Sequence, residues 1–340
     1  MRIAVVGGVR STELLVEKLH EHGFSDCHVW GYSPSETTNV SGWVDLGVAA
    51  RRSGYGHTPF TKIGGTADAI NDYAPDVLFA VGLSQIVPPR ILGVAKVANI
   101  GFHPTALPKG RGRAAVAWLI LHQMNGAATF FELRNAVDDG PILVQEPFTV
   151  VADDDTPSVY EKILTAESKA LDMLLPQLTA GTLRRLAQDH SHATWFARRS
   201  PEDGWIDWHK RSDAVVRLVR ASAPPHPGAF TYQGESTIRI LAAHSDFRPE
   251  TGVVGRILQV WDADGFVVQA ADGLVRVTAW EAPTGWNPRV GTKLGLYIET
   301  EVVRLRRRCA ELEHRLTALE ERLGRHDTSQ EDGNTDVGLS

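Results

Sequence analysis

Short apolar runs alternate with helical patterns through the first half of this 340-residue chain, which limits what it can fold into. The runs lie at residues 2–7, 27–32, 76–82, 97–101, 129–133 and 142–145. Amphipathic stretches at residues 115–124 and 158–174 are long enough for helices. Strand and helix signals in alternation are typical of a mostly parallel sheet with helices packed on it. We therefore predict an α/β domain over residues 1–190.

The pattern changes in the second half of the chain. One helical stretch at residues 212–221 precedes a proline-rich turn at residues 223–228. The β-type runs that follow, separated by Gly and Asp, lie at residues 237–241, 253–260, 265–269 and 274–280. Short strands at such intervals predict a small barrel or open β-sheet domain, which we place at residues 198–292.

Apolar residues near the C-terminal end recur at alternating spacings of three and four. The series consists of Ile298, Val302, Leu305, Cys309, Leu312, Leu316, Leu319 and Leu323. Because Arg, Glu and His occupy most flanking positions, the pattern predicts a coiled-coil helix over residues 298–325 that joins copies of the chain into a homo-oligomer. The alternative is one amphipathic helix folded back on its own domain. Residues 326–340 are polar and predict a disordered tail.

Composition excludes several classes of protein. The net charge is −6, so the chain as a whole gives no reason to expect a nucleic acid or an anionic membrane as partner. No apolar run is long enough to span a membrane, and no signal peptide opens the chain, so we expect a cytoplasmic protein. Two cysteines and the lack of an H-E-x-x-H or Cys/His cluster predict neither a disulfide framework nor a metal site.

The densest chemical signal is a loop after the predicted strand at residues 97–101. His103 lies there between glycines and prolines, and Lys109, Arg111 and Arg113 follow it closely. A second patch at residues 137–143 carries two adjacent aspartates. A histidine and a carboxylate together can transfer protons near neutral pH, and the basic residues suit an anionic substrate. From these residues alone, a structural histidine, an ordinary acidic turn and a solvated basic loop remain possible.

Two motifs in order resemble the signature of the folate-dependent formyltransferases. The first is H-P-T-A-L-P-K-G-R-G at residues 103–112, and the second is V-D-D-G-P-I-L at residues 137–143. The second half is also similar to that family, with I-D-W at residues 206–208 and P-G-A-F at residues 227–230. The resemblance covers residues 1–285 and implies a Rossmann-like formyltransferase domain followed by an OB-like β domain. The coiled coil and the tail lie outside it.

The resemblance also implies roles for individual residues. His103 corresponds to the family's catalytic histidine and Asp138 to the aspartate that supports it. The acceptor amine would attack the formyl carbon of 10-formyltetrahydrofolate, form a tetrahedral oxyanion and release tetrahydrofolate. The residues expected at the folate are Leu83, Ser84, Gln85, Ile86, Val137 and Asp139. Those expected at the acceptor are Thr105, Lys109, Arg111 and Arg113.

One position departs from the family pattern. The family carries an asparagine two residues before the histidine, and this chain has Gly101 there. That amide donates to the developing oxyanion, and losing such a donor typically costs about 100–1,000-fold in rate. Three interpretations follow. Asn99 replaces the amide through a bulge at Gly101 and is then catalytic; a backbone N–H at Gly101 or a water replaces it; or the protein has become a diverged acyltransferase or a non-catalytic ligand-binding scaffold.

The charge of the second half bears on the acceptor. Residues 198–293 contain 12 Lys and Arg against 11 Asp and Glu, which is a weak basis for gripping tRNA phosphates. We therefore expect a small amine acceptor, either an amino sugar nucleotide or a specialised-metabolite amine. Methionyl-tRNA formyltransferase is the alternative.

Overall fold

The first half of the chain folds around a seven-stranded sheet. The computed structural model describes residues 1–34, 42–83, 85–261 and 265–331. The strands of this half are β1 (Ile3–Gly7), β2 (Cys27–Tyr32), β3 (Gly56–Phe60), β4 (Val77–Val81), β5 (Ala98–His103), β6 (Arg111–Gly112), β7 (Gly126–Glu132), β8 (Ile142–Phe148) and β9 (Trp195–Phe196). The sheet order is β3-β2-β1-β4-β5-β7-β8, and the first five strands of that order are parallel. Strand β7 runs antiparallel to both β5 and β8, while β6 and β9 form a separate parallel pair.

Helices cover both faces of the sheet. They are α1 (Arg10–Glu21), α2 (Leu46–Arg52), α3 (Ala67–Tyr73), α4 (Pro89–Leu92), α5 (Ala115–His122) and α6 (Thr156–Ala180). The larger core joins α1, α2, α5 and α6 to one face, and the smaller core joins α3 and α4 to the other. The predicted α/β domain with a mostly parallel sheet is confirmed.

Strand β3 was not expected from the sequence. It reads Gly-His-Thr-Pro-Phe, and only Phe60 among its five residues is buried. It lies at the edge of the sheet, where exposed polar residues and a proline are tolerated because one side of the strand has no partner. An edge strand of this kind has no apolar run to mark it.

The second half forms a smaller antiparallel sheet against one helix. Helix α7 (Ser212–Ser222) precedes β10 (Ala229–Gln233), β11 (Ser236–Asp246), β12 (Ile257–Trp261), β13 (Gly265–Gln269) and β14 (Leu274–Glu281). The order is β10-β11-β14-β13-β12, so β10 and β12 lie at its two ends. A separate apolar core packs Val216 of α7 against the sheet. The predicted β domain is confirmed, whereas its OB-like character stays a prediction.

The two halves share packing and hydrogen bonds. Ala221 at the end of α7 is buried in the larger core of the first half. The Thr156 hydroxyl, at the start of α6, lies 3.0 Å from the carbonyl oxygen of Arg220 and 3.2 Å from that of Ala221. The Trp118 indole donates to the carbonyl of Ala197 at 2.8 Å. The C-terminal end of α7 is therefore tied to the N-terminal end of α6.

The last helix, α8 (Ile298–Glu331), begins where the sequence predicts and ends six residues later than expected. Residues 326–331 contain neither Gly nor Pro, so nothing in them stops the helix at residue 325. Of the predicted tail, residues 332–340 lie outside the described part of the chain. The aliphatic members of the apolar series along α8 are 40–67% exposed from Ile298 to Leu319, and Cys309 is exposed. The helix therefore does not fold back on its own domain, and that alternative is wrong. Within the described ranges, no helix is long and apolar enough to cross a membrane.

Glu167 is a fully buried carboxyl in the middle of α6. Its two carboxyl oxygens have no hydrogen-bond partner among the described residues. Burial raises its pKa well above the usual 4.5, and the nearby Ser11 hydroxyl only partly opposes this. Because the folded state holds the proton more tightly than the unfolded state, this group's contribution to stability is largest below about pH 4.5 and falls as the pH rises through the folded-state pKa.

We expect Glu167→Gln to raise the free energy of unfolding by about 1–3 kcal/mol at pH 8 and to change it little at pH 4. Urea denaturation at the two pH values measures the difference. Glu161→Gln is the matched control, because Glu161 lies on the same helix with 64% of its side chain exposed. A gain at pH 8 no larger than that of the control would contradict the prediction.

Candidate functional site

His103 is the last residue of β5, with β4 and β7 as the neighbours of that strand. Side chains alternate along a strand, so Asn99, Gly101 and His103 point to the same face. The His103 Nε2 lies 2.8 Å from the carbonyl oxygen of Gly110. Since a carbonyl oxygen only accepts hydrogen bonds, Nε2 carries the proton in the neutral ring and Nδ1 holds the free lone pair. The loop after β5 thus leaves Nδ1 as the unprotonated nitrogen of the neutral ring.

Asp138 supplies the carboxylate that faces this base. It lies in the loop between β7 and β8, with a φ of 53° that Asp adopts more readily than most residues. Its Oδ2 lies 3.6 Å from His103 Nδ1 and accepts a hydrogen bond from the Gly112 backbone at 2.8 Å. A proton on Nδ1 would create an ion pair with this carboxylate. The predicted pair of His103 and Asp138 is therefore brought together in the structure.

A buried arginine and glutamine hold the Asp138 loop in place. Arg111 is 3% exposed, and its guanidinium donates to Gln188 Oε1 at 2.7 and 3.2 Å. The Gln188 amide donates in turn to the carbonyls of Asp138 at 2.9 Å and Gly140 at 2.7 Å. Arg111 also donates to His190 Nδ1 at 3.1 Å. This buried chain connects the loop after β5 to the loop that carries the carboxylate.

We expect Gln188→Leu to lower the free energy of unfolding by about 1.5–3 kcal/mol, because it removes both hydrogen bonds of the buried guanidinium to Gln188 and the amide donors of two carbonyls, and leaves the guanidinium with His190. Arg111→Met should cost a similar amount. The double variant should be less destabilised than the sum of the two, since removing both partners leaves fewer orphaned groups. Urea denaturation of all four proteins gives the coupling energy. Strict additivity would show that the two side chains do not stabilise the loop together.

Asn99 is not brought to His103. The pairing of β5 with β4 and with β7 runs in continuous register through Gly101, so the bulge that would have shortened the gap does not exist. Four residues of extended strand separate the two side chains by about 13 Å. A Cβ on Gly101 would meet the Leu133 side chain at 2.6 Å and Phe131 at 3.0 Å. Leu133 therefore covers the position where the family amide would stand.

The Gly101 backbone is also poorly placed as a donor. Its strand pairs on both sides, and backbone N–H groups of a sheet lie in the plane of the sheet, not on its face. The Gln145 amide on β8 donates to the Leu107 carbonyl and to the Thr129 hydroxyl. Both contacts use the Gln145 amide within the protein. A water as the donor that replaces the amide stays a prediction.

The residues expected at the folate lie in loops after β4 and after β7, the strands on either side of β5. Gln85 is tied back by hydrogen bonds to Ile63 and Thr61, and Leu83 packs on the smaller core. Ile86 is 87% exposed and Val137 is 56% exposed. Asp139 Oδ1 is buried without a hydrogen-bond partner. Ser84 lies outside the described residues.

The residues expected at the acceptor divide into two pairs. Thr105 and Arg111 are buried at 2% and 3% exposure, and both hydrogen bond within the protein. Lys109 and Arg113 are exposed on the same loop. Burial favours a structural role for the first pair and leaves the second pair accessible to an anion. Binding of the acceptor by any of the four stays a prediction.

The sequence did not point to Leu133 or Gln188. Leu133 is the last residue of the strand predicted at residues 129–133, but its place over Gly101 depends on the register of β5 and β7. Gln188 lies 77 positions from Arg111 along the chain, and no spacing rule links them. Among the described residues, no group of three His, Cys, Asp or Glu side chains is placed to hold a metal.

Comparison with known families agrees with the site. The family described as "Formyl transferase" matches residues 64–175, and "Formyl transferase, C-terminal domain" matches residues 198–285. The chain belongs to the formyl transferase family.

Solved structures share the fold at low sequence identity. HypX from Aquifex aeolicus in complex with tetrahydrofolic acid is 18% identical with a TM-score of 0.62, and the match covers 84% of this chain and 44% of that one. This chain thus spans less than half the length of HypX. The sugar 3N-formyl transferase WlaRD, solved with dTDP and 5-N-formyl-THF, is 14% identical with a TM-score of 0.62, covering 84% and 99%. An N-formyltransferase from Helicobacter canadensis, in complex with folinic acid and dTDP-3-aminofucose, is 15% identical with a TM-score of 0.62, covering 83% and 100%.

Proposed function

We propose that this protein transfers a formyl group from 10-formyltetrahydrofolate to the amine of a small acceptor. The observation that carries the proposal is the base formed by His103, whose Nδ1 faces the Asp138 carboxylate at 3.6 Å while Nε2 donates to Gly110. Family membership supports the same reaction class.

The co-substrate, which would supply the formyl group, is proposed to bind to the loops that follow β4 and β7. Ile86 and Val137 are apolar side chains left 87% and 56% exposed on the loops that follow the neighbours of β5. Asp139 Oδ1 is a buried acceptor without a partner, which suits an N–H donor of a ligand. These residues fit the co-substrate, and we propose them, with Leu83 and Gln85, as its binding surface.

The chain's own residues handle the proton. As the acceptor amine bonds to the formyl carbon, His103 Nδ1 takes the proton that the amine loses. The imidazolium is then paired with Asp138, whose carboxylate is held by the Gly112 N–H. When the bond between the formyl carbon and the folate nitrogen breaks, the same Nδ1 returns the proton to that leaving nitrogen. Arg111 and Gln188 act as positioning residues, because they reach the reaction only through the Asp138 loop.

The acceptor we propose is an amino sugar nucleotide or a specialised-metabolite amine. The near balance of 12 basic and 11 acidic residues over positions 198–293 supports a small acceptor over tRNA. Exposed Lys109 and Arg113 are proposed to meet its anionic group. We also propose, as the sequence predicts, a cytoplasmic protein that forms a homo-oligomer through α8.

One observation favours a second candidate function. Leu133 and Phe131 cover Gly101, so apolar groups stand where the family pattern has an amide donor. A protein with this arrangement would bind the folate and turn over slowly or not at all, as a ligand-binding scaffold does.

The test is tetrahydrofolate formation from 10-formyltetrahydrofolate in the presence of a panel of acceptors. The panel contains amino sugar nucleotides, amino acids and charged initiator tRNA. Turnover with one small amine, lost in His103→Ala, is the expected result. Turnover with charged initiator tRNA and with no small amine would contradict the proposed small acceptor and favour a methionyl-tRNA formyltransferase. Folate binding without turnover on any acceptor would favour the scaffold.

A further inference from the structure

Helix α8 leaves a continuous apolar stripe uncovered. It is 34 residues long, and the apolar positions of the stripe from Ile298 to Leu319 are all exposed. In heptad terms, positions a are Val302, Cys309, Leu316 and Leu323, and positions d are Ile298, Leu305, Leu312 and Leu319. An ion pair between Arg304 and Glu235, at 3.2 Å, joins the helix to the body of the protein and leaves the stripe open. A long amphipathic helix in water gains most of its stability by burying such a stripe against a partner.

The charges beside the stripe specify the partner. Positions g are Glu301, Arg308, Arg315 and Arg322, and positions e are Glu299, Arg306, Glu313 and Glu320. In a parallel, in-register pair, each g residue faces the e residue five positions later on the other helix. The three facing combinations are then Glu301 with Arg306, Arg308 with Glu313, and Arg315 with Glu320. Every one of them joins opposite charges, and symmetry makes each occur twice.

We infer that α8 pairs with α8 of a second copy as a parallel, in-register, two-stranded coiled coil. An antiparallel pair that aligns the stripe with itself would place g beside g and e beside e, which sets Arg308 against Arg315 and Glu299 against Glu320. In that direction only Glu301 with Arg322 and Arg306 with Glu313 join opposite charges, whereas in the parallel pair every facing combination does. Leucine at three of the four d positions and valine at one a position also agree with two strands. This inference does not depend on the reaction proposed above.

Existing surface contacts do not oppose the pairing. Glu301 contacts Arg304 at 2.7 Å, and Arg308 contacts Glu311 at 2.8 Å, each within one helix. Exposed pairs of this kind contribute little to stability, so exchanging them for contacts across the dimer costs little.

A disulfide between the two Cys309 side chains would report directly on the pairing of the two helices. It is an exposed free thiol at a central a position, whereas the other cysteine, Cys27, is buried. In a parallel, in-register pair, the two Cys309 side chains face each other across the seam, within the range that a disulfide bridges. In an antiparallel pair that aligns the stripe with itself, each Cys309 would lie opposite Leu312 of the other helix, and the two thiols would be offset by about 4–5 Å along the axis. The cross-link therefore tests whether the stripes meet, and the exchange of charges described below tests the direction.

The first experiment measures mass and cross-linking on the full-length protein. Light scattering should give twice the chain mass, and mild oxidation with copper phenanthroline should convert the dimer to a disulfide-linked species. Cys309→Ser should abolish the cross-link and Cys27→Ser should not. A monomer or trimer mass overturns the two-stranded pair. A dimer that oxidation cannot cross-link overturns the parallel register.

The second experiment exchanges the charges. Variant one carries Arg308→Glu and Arg315→Glu, and variant two carries Glu313→Arg and Glu320→Arg. Each alone should dimerise at least about tenfold more weakly than the wild type, because four pairs across the interface become repulsive. Mixed in equal amounts, they should form a heterodimer, since every pair is again of opposite charge. A mixture that stays monomeric would overturn the assigned pairing.

Discussion

His103→Ala is expected to lower formyl transfer by about 10²–10⁴-fold, because the variant loses the base that takes the proton of the acceptor amine. Binding of tetrahydrofolate should change by no more than about twofold, since His103 is 7% exposed and is proposed to act on the proton. Steady-state assays of tetrahydrofolate release measure the rate of formyl transfer, and a fluorescence titration with tetrahydrofolate measures its binding. His192→Ala is the matched control, with a histidine 69% exposed.

Asp138→Asn should cost less than His103→Ala. The Gly110 carbonyl already fixes the tautomer of the ring, so the carboxylate is needed only to stabilise the imidazolium. The double variant should be no slower than His103→Ala alone, because the two groups act as one unit. If His103→Ala kept more than a tenth of the wild-type rate, the proposed base would be wrong.

Gly101→Asn is expected to destabilise the wild-type protein but to speed formyl transfer in a Leu133→Ala background. In the wild-type background, the new Cβ would lie 2.6 Å from Leu133 and 3.0 Å from Phe131, and we expect a loss of about 1–3 kcal/mol in the free energy of unfolding. In a Leu133→Ala background, the contacts with Leu133 are removed and the contact with Phe131 at 3.0 Å is left to adjust, on the same face as His103. An amide there would donate to the charge that develops on the formyl oxygen.

We therefore expect the double variant to transfer formyl groups up to about 100-fold faster than Leu133→Ala alone. Leu133→Ala with Gly101→Ala is the control for volume without the amide. The measurements are urea denaturation and the initial rate of tetrahydrofolate release. An equal rate in the double variant and its control would show that the protein already has another donor for the oxyanion.

Features whose signal lies within one short segment could be predicted from the sequence. The apolar run that became β2 and the start of α8 at Ile298 agree with their predicted limits. His103 and Asp138 were found because both lie in short motifs, and the structure brings them together. Strand β3 could not be predicted, because it is defined by its pairing with β2 at the edge of the sheet and not by an apolar run of its own.

What could not be predicted depends on contacts between distant segments. The replacement of the amide at Gly101 by Asn99 was excluded only by the unbroken register of β5 with both neighbours. Likewise, Arg111 carries a charge that suits a substrate, but its partner Gln188 comes from a segment 77 positions away. A motif identifies such an arginine, whereas only the fold shows that its charge is used inside the protein.

The joint between α6 and α7 resists rotation of one half of the protein against the other. Because Thr156 hydrogen bonds to the end of α7 and Ala221 is buried in the larger core, neither half can rotate without breaking packed contacts. The two family matches divide the sequence, whereas the folded chain keeps the two parts in contact at this joint. An acceptor that needed the two halves to separate would have to break the joint, and an acceptor admitted by loops would not.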